Sequence, residues 1–515
     1  MGKKDKKKGK GAEKTAAKTE KKQSQKLKKE LAAKGEEDID SLIAKFVEMD
    51  KAKHTITEDL VPPPSKRSAF SLTPHPDKDQ LILFGGEYFN GNKTFLFNDL
   101  FSMILISLKF VDVFLNFFWF QGGGQLWVFG GEFTSQSQSQ FHHFKDLWVF
   151  HFKTKKWEKI PAPGGPSARS GHRMVALKKN LIVFGGFHDN SFDCKYFNDV
   201  YAFNVEDYKW NKLEISGNGP CPRSACQMVP ISDGRVLIYG GYSKQKLKKD
   251  VEKGVTHTDM YLLCPDKHDT TGLKWKWQSV KQAGVRPSPR CGFTLAPTGA
   301  DKAILFGGVY DELDEEEELE GVFYNDMYQL DLMKPTWHEV IVTGKKEAAE
   351  KKKRRRKKED GEEEEESEEE EEVEEKLENM KVDDKTEEKV VSDDGVFTVT
   401  VGPSSSSTDK ADEATGSASA EVFMPPPRIN AGMVVKKGIL YLYGGIYEDG
   451  DKQLTLGDFY ALDLNKLEEW QTIIPLNKED LEWFESDSED DEEDDESMDG
   501  DSEDEDEDED GMDTG

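Results

Sequence analysis

Short apolar runs recur along the chain, and six of them end in a Gly-Gly pair: LILFGG at 81–86, QLWVFGG at 125–131, LIVFGG at 181–186, VLIYGG at 236–241, AILFGG at 303–308 and LYLYGG at 440–445. Past a connection of variable length, each pair is followed by an Asp and an alternating stretch of strand character: Asp99-Leu-Phe, Asp146-Leu-Trp-Val-Phe, Asp199-Val-Tyr-Ala-Phe, Asp259-Met-Tyr-Leu-Leu, Asp326-Met-Tyr-Gln-Leu and Asp458-Phe-Tyr-Ala-Leu. Five of the six then reach a tryptophan, at Trp157, Trp210, Trp277, Trp337 and Trp470. A unit of roughly fifty residues, with strands before and after the glycines, predicts an all-β fold: a six-bladed β-propeller of four-stranded blades.

The residue types follow from that geometry. A single blade cannot bury both of its faces, so neighbours must stack and supply one another's core. The pairs Gly85-Gly86, Gly130-Gly131, Gly185-Gly186, Gly240-Gly241, Gly307-Gly308 and Gly444-Gly445 stand where strands crowd near the axis, and residues without a Cβ admit positive φ or close backbone approach. The tryptophans suit the wedge between adjacent blades.

The pattern breaks once. Residues 101–120 read FSMILISLKFVDVFLNFFWF, where the first blade's outer strand with its Trp and the entry to the second blade are expected. Lys109, Asp112 and Asn116 interrupt the run, and a membrane span has no place inside a ring of blades, so it is read as a replacement of about thirty residues of ordinary blade sequence, of splicing or gene-model origin. The expected organisation is a basic arm over 1–35, a short amphipathic helix within 36–60, blades one to five over 61–344, a charged low-complexity insert over 345–424, the sixth blade over 425–484 and an acidic tail over 485–515. In the helix, Ile39, Leu42, Ile43 and Phe46 share one face, predicted to cap the propeller.

Charge adds to the picture. Of the formal net charge of −32, residues 485–515 carry −21 and residues 359–380 carry −14, which leaves the rest near neutral at +3. Acidity therefore belongs to segments too charged to fold alone. The arm over 1–34 holds fourteen lysines against four acids, the one place from which nucleic-acid contact is expected. Lys351 to Lys358 form a basic run suited to nuclear import, and Ser486, Ser488, Ser497 and Ser502 lie among acids as acidophilic kinases require. Five cysteines and a lysine-rich start without a signal peptide point to an intracellular protein of nucleus or cytoplasm without disulfides. Cys221 and Cys226 lack a second pair at zinc-ligand spacing, so no metal is expected.

Pro/Arg segments recur at the blade entries, ending in Arg67, Arg169, Arg223, Arg290 and Arg428. The first reading is structural, donors tying down loop carbonyls; the second is a ring of guanidiniums in which Arg169, Arg223, Arg290 and Arg428 meet a partner. The connections after the glycine pairs differ between blades, basic in the fourth (YSKQKLKKDVEKGVTHT) and acidic in the fifth (VYDELDEEEELEGVFY), which places specificity there.

With the glycine pairs, Asp-aromatic strands and tryptophans in hand, the chain resembles the kelch-repeat propellers. Within them, its opening MGKKDKKKGKGAEKTAAK, GGGQLWVFGGEF, RSGHRMVA and acidic tail resemble a group that looks like non-enzymatic binding proteins. That resemblance implies a non-enzymatic role with protein partners and no small-molecule substrate or cofactor; the acidic tracts by their charge suit a basic client such as a ribosomal protein or histone, which they would shield, and no membrane contact is expected. The alternative it carries is a substrate receptor of a ubiquitin ligase, although the residues before the first blade are too few for a BTB domain and no elongin-type helix follows Trp470. Copper-radical oxidases on kelch propellers need a Cys-Tyr pair with further His and Tyr ligands. His142, His143, His172, His188 and His257 fall in different blades or loops without such a grouping, so no catalytic residue is expected.

Overall fold

A computed structural model of the chain describes residues 37–344 and 422–481, apart from gaps at 53–59, 76, 106–108, 113–118, 122–123, 190–193, 249–250, 300, 314–318, 451 and 478–480. The basic arm, nearly all of the insert with its basic run and the segment at 396–401, Trp483 and Phe484, and the acidic tail with its serines lie outside the described residues.

Six antiparallel sheets of at least four strands are each drawn from one continuous stretch, so the fold is a six-bladed propeller. Blade 3 is typical: Arg173–Leu177 nearest the axis, then Asn180–Phe184, Val200–Asn204 and Lys209–Lys212. Blades 4 and 5 gain a short fifth strand from the preceding linker, Glu214–Ser216 and Ala283–Gly284, each parallel to the outer strand. Six apolar clusters fill the six seams between neighbours. The wedge tryptophans set a common contact: Trp157, Trp210, Trp277, Trp337 and Trp470 each lie against the aromatic residue that precedes the previous blade's glycine pair, with centroids 5.9, 5.1, 5.7, 5.2 and 6.1 Å from Phe84, Phe129, Phe184, Tyr239 and Phe306.

Both glycines of each pair have positive φ, 59–72° at the first and 92–108° at the second. The crowding is specific as well: a Cβ on Gly307 would stand 2.5 Å from the Arg428 carbonyl of the next blade, and one on Gly186 would stand 2.6 Å from the Ser170 carbonyl of its own. The second glycine's N–H donates to the next blade's Arg carbonyl from Gly131 to Arg169, Gly186 to Arg223 and Gly308 to Arg428. The bond from Gly445 to Arg67 closes the ring in the same way at 3.0 Å, and Tyr443 Oη donates to the Pro64 carbonyl at 2.7 Å. Closure needs no strand exchange, because the sixth seam repeats the bonding of the others.

The described residues of the run at 101–120 belong to the blades. Leu100–Ile104 and Lys109–Asp112 form the third and fourth strands of blade 1, and Trp119–Gln121 pairs with Gln125–Phe129 as the inner strand of blade 2. In the other blades the tryptophan pairs with the residue four after the Asp: Phe150, Phe203, Leu263, Leu330 and Leu462. In blade 1 that residue is Met103 and its partner is Phe110, so a phenylalanine holds the tryptophan's register position. Among the described residues, Ile82, Phe84, Leu100, Leu126 and Phe150 are buried in the seam of blades 1 and 2, and Leu81, Leu83, Met103, Tyr443 and Phe459 in the seam of blades 1 and 6. A small apolar cavity lined by Pro64, Leu72, Leu81, Leu83, Met103, Tyr443 and Phe459 lies in the seam to blade 6.

Candidate functional site

The five entry arginines share one geometry. In each, Nε donates to the carbonyl two residues earlier, Nη1 reaches both the first glycine's carbonyl and the blade's Asp, and Nη2 reaches the second carboxylate oxygen. Arg67 holds Asp99 at 2.6 and 3.2 Å, Arg169 holds Asp199 at 2.6 and 3.2 Å, and Arg428 holds Asp458 at 2.7 and 2.8 Å. Arg223 with Asp259 and Arg290 with Asp326 repeat the fork. These arginines are 0–2% exposed, and rings of Phe97, Phe197 and Tyr324 cover the guanidiniums of Arg67, Arg169 and Arg290. The planar five-donor fork suits this task, since one side chain satisfies carbonyls and a carboxylate at once. Arg169, Arg223, Arg290 and Arg428, read from the sequence as candidate partner contacts, therefore face their own blades.

Blade 2 has no such clasp. The chain contains no arginine between Arg67 and Arg169, and Asp146 pairs instead with the half-exposed Lys159 at 2.8 Å. The cause is local sequence: the run at 101–120 supplies strands without a Pro/Arg entry.

Beyond each glycine pair the inner sheet continues as a two-stranded ribbon on the face where the entries lie. These are Glu87–Phe89 with Thr94–Leu96, Glu132–Thr134 with Phe141–His143, Phe187–Asp189 with Cys194–Tyr196, Tyr242–Lys248 with Val251–Thr256, and Val309–Leu313 with Leu319–Phe323. In blade 6 the strands run through without a break as Ile439–Asp449 and Lys452–Asp463. A backbone bridge ties five of the six ribbons to their entries, from Ser68 to Glu87, Ser170 to Phe187, Ser224 to Tyr242, Cys291 to Val309 and Ile429 to Ile446. What the sequence shows as loops of differing charge is thus a crown of ribbons on a rigid base.

The helix Ile39–Ala52 joins this crown. Its start is fixed to the blade 2 ribbon, Ile39 N–H donating to Gln140 Oε1 at 3.0 Å while Gln140 Nε2 donates to the Glu37 carbonyl at 2.9 Å. Phe46 meets Phe133 edge to face at 5.6 Å. The described contacts of the helix are thus with the ribbon of blade 2.

At the ribbon bases of blades 1 to 3 the structure gathers polar residues the sequence reading held apart. The His143 and His188 rings lie 4.8 Å apart, His143 Nε2 accepts the Asp189 N–H at 3.0 Å, and His143 Nδ1 is 3.7 Å from Glu132 Oε2, which accepts the Ser170 hydroxyl at 2.7 Å. Burial pushes the Glu87 carboxyl up to about 7, with the neighbouring Glu132 charge adding to it, raises Glu132 as well, and lowers His143 to about 4. His172 is buried elsewhere, against Phe129, and His257 Nε2 bonds Ser243 Oγ at 2.9 Å. Sequence reasoning passed over the two glutamates because a single acid after a glycine pair carries no signal until the neighbouring blade is in place. Among the described residues no three His, Cys, Asp or Glu side chains form a group able to hold a metal ion. Cys226 is buried in the seam of blades 3 and 4, whereas Cys221 is exposed and lends its carbonyl to Arg223. No helix among the described residues is long and apolar enough to cross a membrane.

Six blades, paired positive-φ glycines, wedge tryptophans and arginine clasps together define the class: the described chain is a kelch-repeat β-propeller. The family model described as the KLHDC2/KLHL20/DRC7 Kelch-repeats domain matches residues 118–355. The chain is 29% identical over 178 residues to the dynein alpha chain, flagellar outer arm, of Chlamydomonas reinhardtii, covering 34% of this chain and 3% of that one. It is 28% identical over 182 residues to host cell factor 2 of Homo sapiens, covering 34% and 20%. The chain thus spans a fifth or less of the length of these two relatives. Among solved structures, that titled "Structure of YjhT" aligns with 80% of this chain and 99% of its own at 14% identity and a TM-score of 0.44.

Proposed function

We propose that this protein is a non-enzymatic binding scaffold that grips a protein partner with its ribbon crown. The observation that carries this reading is the division of labour in each blade. Below the glycine pairs the arginine–aspartate clasp repeats in every blade but the second and the wedge tryptophan in every blade but the first; above them ribbon length and sequence change from blade to blade. Repetition in the base and variety in the crown are what recognition on a rigid support requires. The ribbon of blade 4 is basic in sequence and that of blade 5 acidic, so neighbouring blades carry segments of opposite charge suited to a partner of mixed charge.

The finer reading is that the partner is basic, a client of the ribosomal-protein or histone kind, which the acidic tracts at 359–380 and 485–515 shield by long-range attraction while the crown recognises it. The opening and tail, which resemble the group called kelch domain-containing protein 4, and the basic run at 351–358 fit work in nucleus or cytoplasm. Affinity purification of the full chain from nuclear and cytosolic extracts tests this. Reversing the charge of Lys244 and Lys253 should release the partner, and deleting 485–515 should release basic partners above all. Partner sets unchanged by both would overturn the reading; cullin or elongin subunits in the eluate would replace it with the ligase-receptor alternative.

A further inference from the structure

We infer that Glu87 and Glu132, at the ribbon bases of blades 1 and 2, form a receptor for one cationic side chain, lysine or arginine, of the bound protein. The inference rests on the binding role proposed above and names a contact point for it. Both residues directly follow a glycine pair, and in blades 3 to 6 that position holds Phe187, Tyr242, Val309 and Ile446, so the two acids stand together in a ring of otherwise uncharged residues.

Three observations say the pair lacks a counterpart. At the seam of blades 2 and 3 the entry serine of blade 3, Ser170, donates to Glu132. At the seam of blades 1 and 2 the sequence holds no equivalent Arg-Ser entry, and among the described residues no hydrogen bond to the Glu87 carboxyl is found. Two buried groups beside the pair have no hydrogen-bond partner: the Ser68 hydroxyl, whose backbone is bridged to Glu87, and His143 Nδ1, which points at Glu132. His143 Nε2 accepts a backbone N–H, so the proton of the neutral ring belongs on Nδ1, facing the carboxylate. Among the described residues no lysine or arginine pairs with either acid, yet the Glu132 side chain keeps 32% of its surface open, so the site can be reached.

Burial leaves a substantial fraction of the Glu87 carboxyl protonated near neutral pH, and a cation seated beside the two acids lowers that fraction. Binding then sends the Glu87 proton to the buffer, while Glu132 and its neighbour Asp189 provide the remaining negative charge. The acidic tail gives no such signal, because exposed carboxylates are already ionised at neutral pH.

The test uses the full chain and a short fluorescein-labelled peptide alternating arginine and glycine, by calorimetry near pH 7 in buffers of different ionisation enthalpy. Wild type should release a substantial fraction of a proton on binding. Glu87→Gln should abolish the release, and Glu87→Gln with Glu132→Gln should weaken binding about tenfold, with thermal unfolding confirming that both variants fold. Equal affinity and equal proton release in wild type and the double variant would overturn the inference. Peptide binding with proton release alongside failure to capture any protein partner would defeat the scaffold reading and leave the receptor standing; the reverse pattern would do the opposite.

Discussion

Arg428 and Asp458 are both fully buried, and two hydrogen bonds of 2.7 and 2.8 Å join them in a fork that also takes the Gly444 carbonyl. Removing one partner leaves a buried charge without compensation, which costs about 3–5 kcal/mol. Arg428→Ala should lower the denaturation midpoint accordingly. Lys159→Ala, which breaks the half-exposed pair with Asp146, should cost less than about 1 kcal/mol. Similar losses in the two variants would show that the clasp is not the stabilising element described.

Glycine should matter by location. Gly307 and Gly272 have nearly equal φ, 72° and 74°, but a Cβ on Gly307 meets the next blade's carbonyl at 2.5 Å while one on Gly272 meets nothing within 4 Å. Gly272→Ala should cost about 1 kcal/mol of backbone strain, and Gly307→Ala clearly more, because the seam must open. Thermal unfolding of the two variants checks the order.

Ring closure rests partly on one phenol. Tyr443→Phe removes the donor to the Pro64 carbonyl and should cost about 1–2 kcal/mol. Because the seam beside it lacks a tryptophan, hydrogen exchange should rise first along Ser71–Pro74 and Gly432–Lys436. Uniform loss of protection around the ring would refute a localised closure.

Stability should depend on pH through two kinds of group. Glu87 has a folded pKa of about 7 against 4.5 unfolded, so its contribution is fully present below 4.5 and is lost as pH rises toward 7, on the order of 2–3 kcal/mol. Glu87→Gln should therefore stabilise the protein at pH 8 and little at pH 4. His143 and His172 have folded values lowered to about 4 and 3 by burial, so stability declines as pH falls below 6.5. Urea unfolding across this range reads both; a wild type and Glu87→Gln pair with parallel profiles would contradict the assignment.

The ring of blades was legible in the chain because each blade repeats its own signals: a strand alternation, a glycine pair, an Asp, a Trp. The arginines were legible as a recurrence but not as clasps, since the Asp that each one holds lies 30–36 residues away in sequence. The run at 101–120 read as foreign because it lacks those signals, yet its apolar and alternating residues suffice for strands once Gln80–Phe84 and Gln125–Phe129 stand beside it.

The sequence by itself determined the number of blades, their strand order and the wedge aromatics, because these depend on local period and on contacts repeated at every seam. Only the tertiary structure decided which donors face inward, how the sixth seam closes, and that the Glu132 charge acts on Glu87 across the seam of blades 1 and 2, because those depend on what a neighbouring blade places nearby.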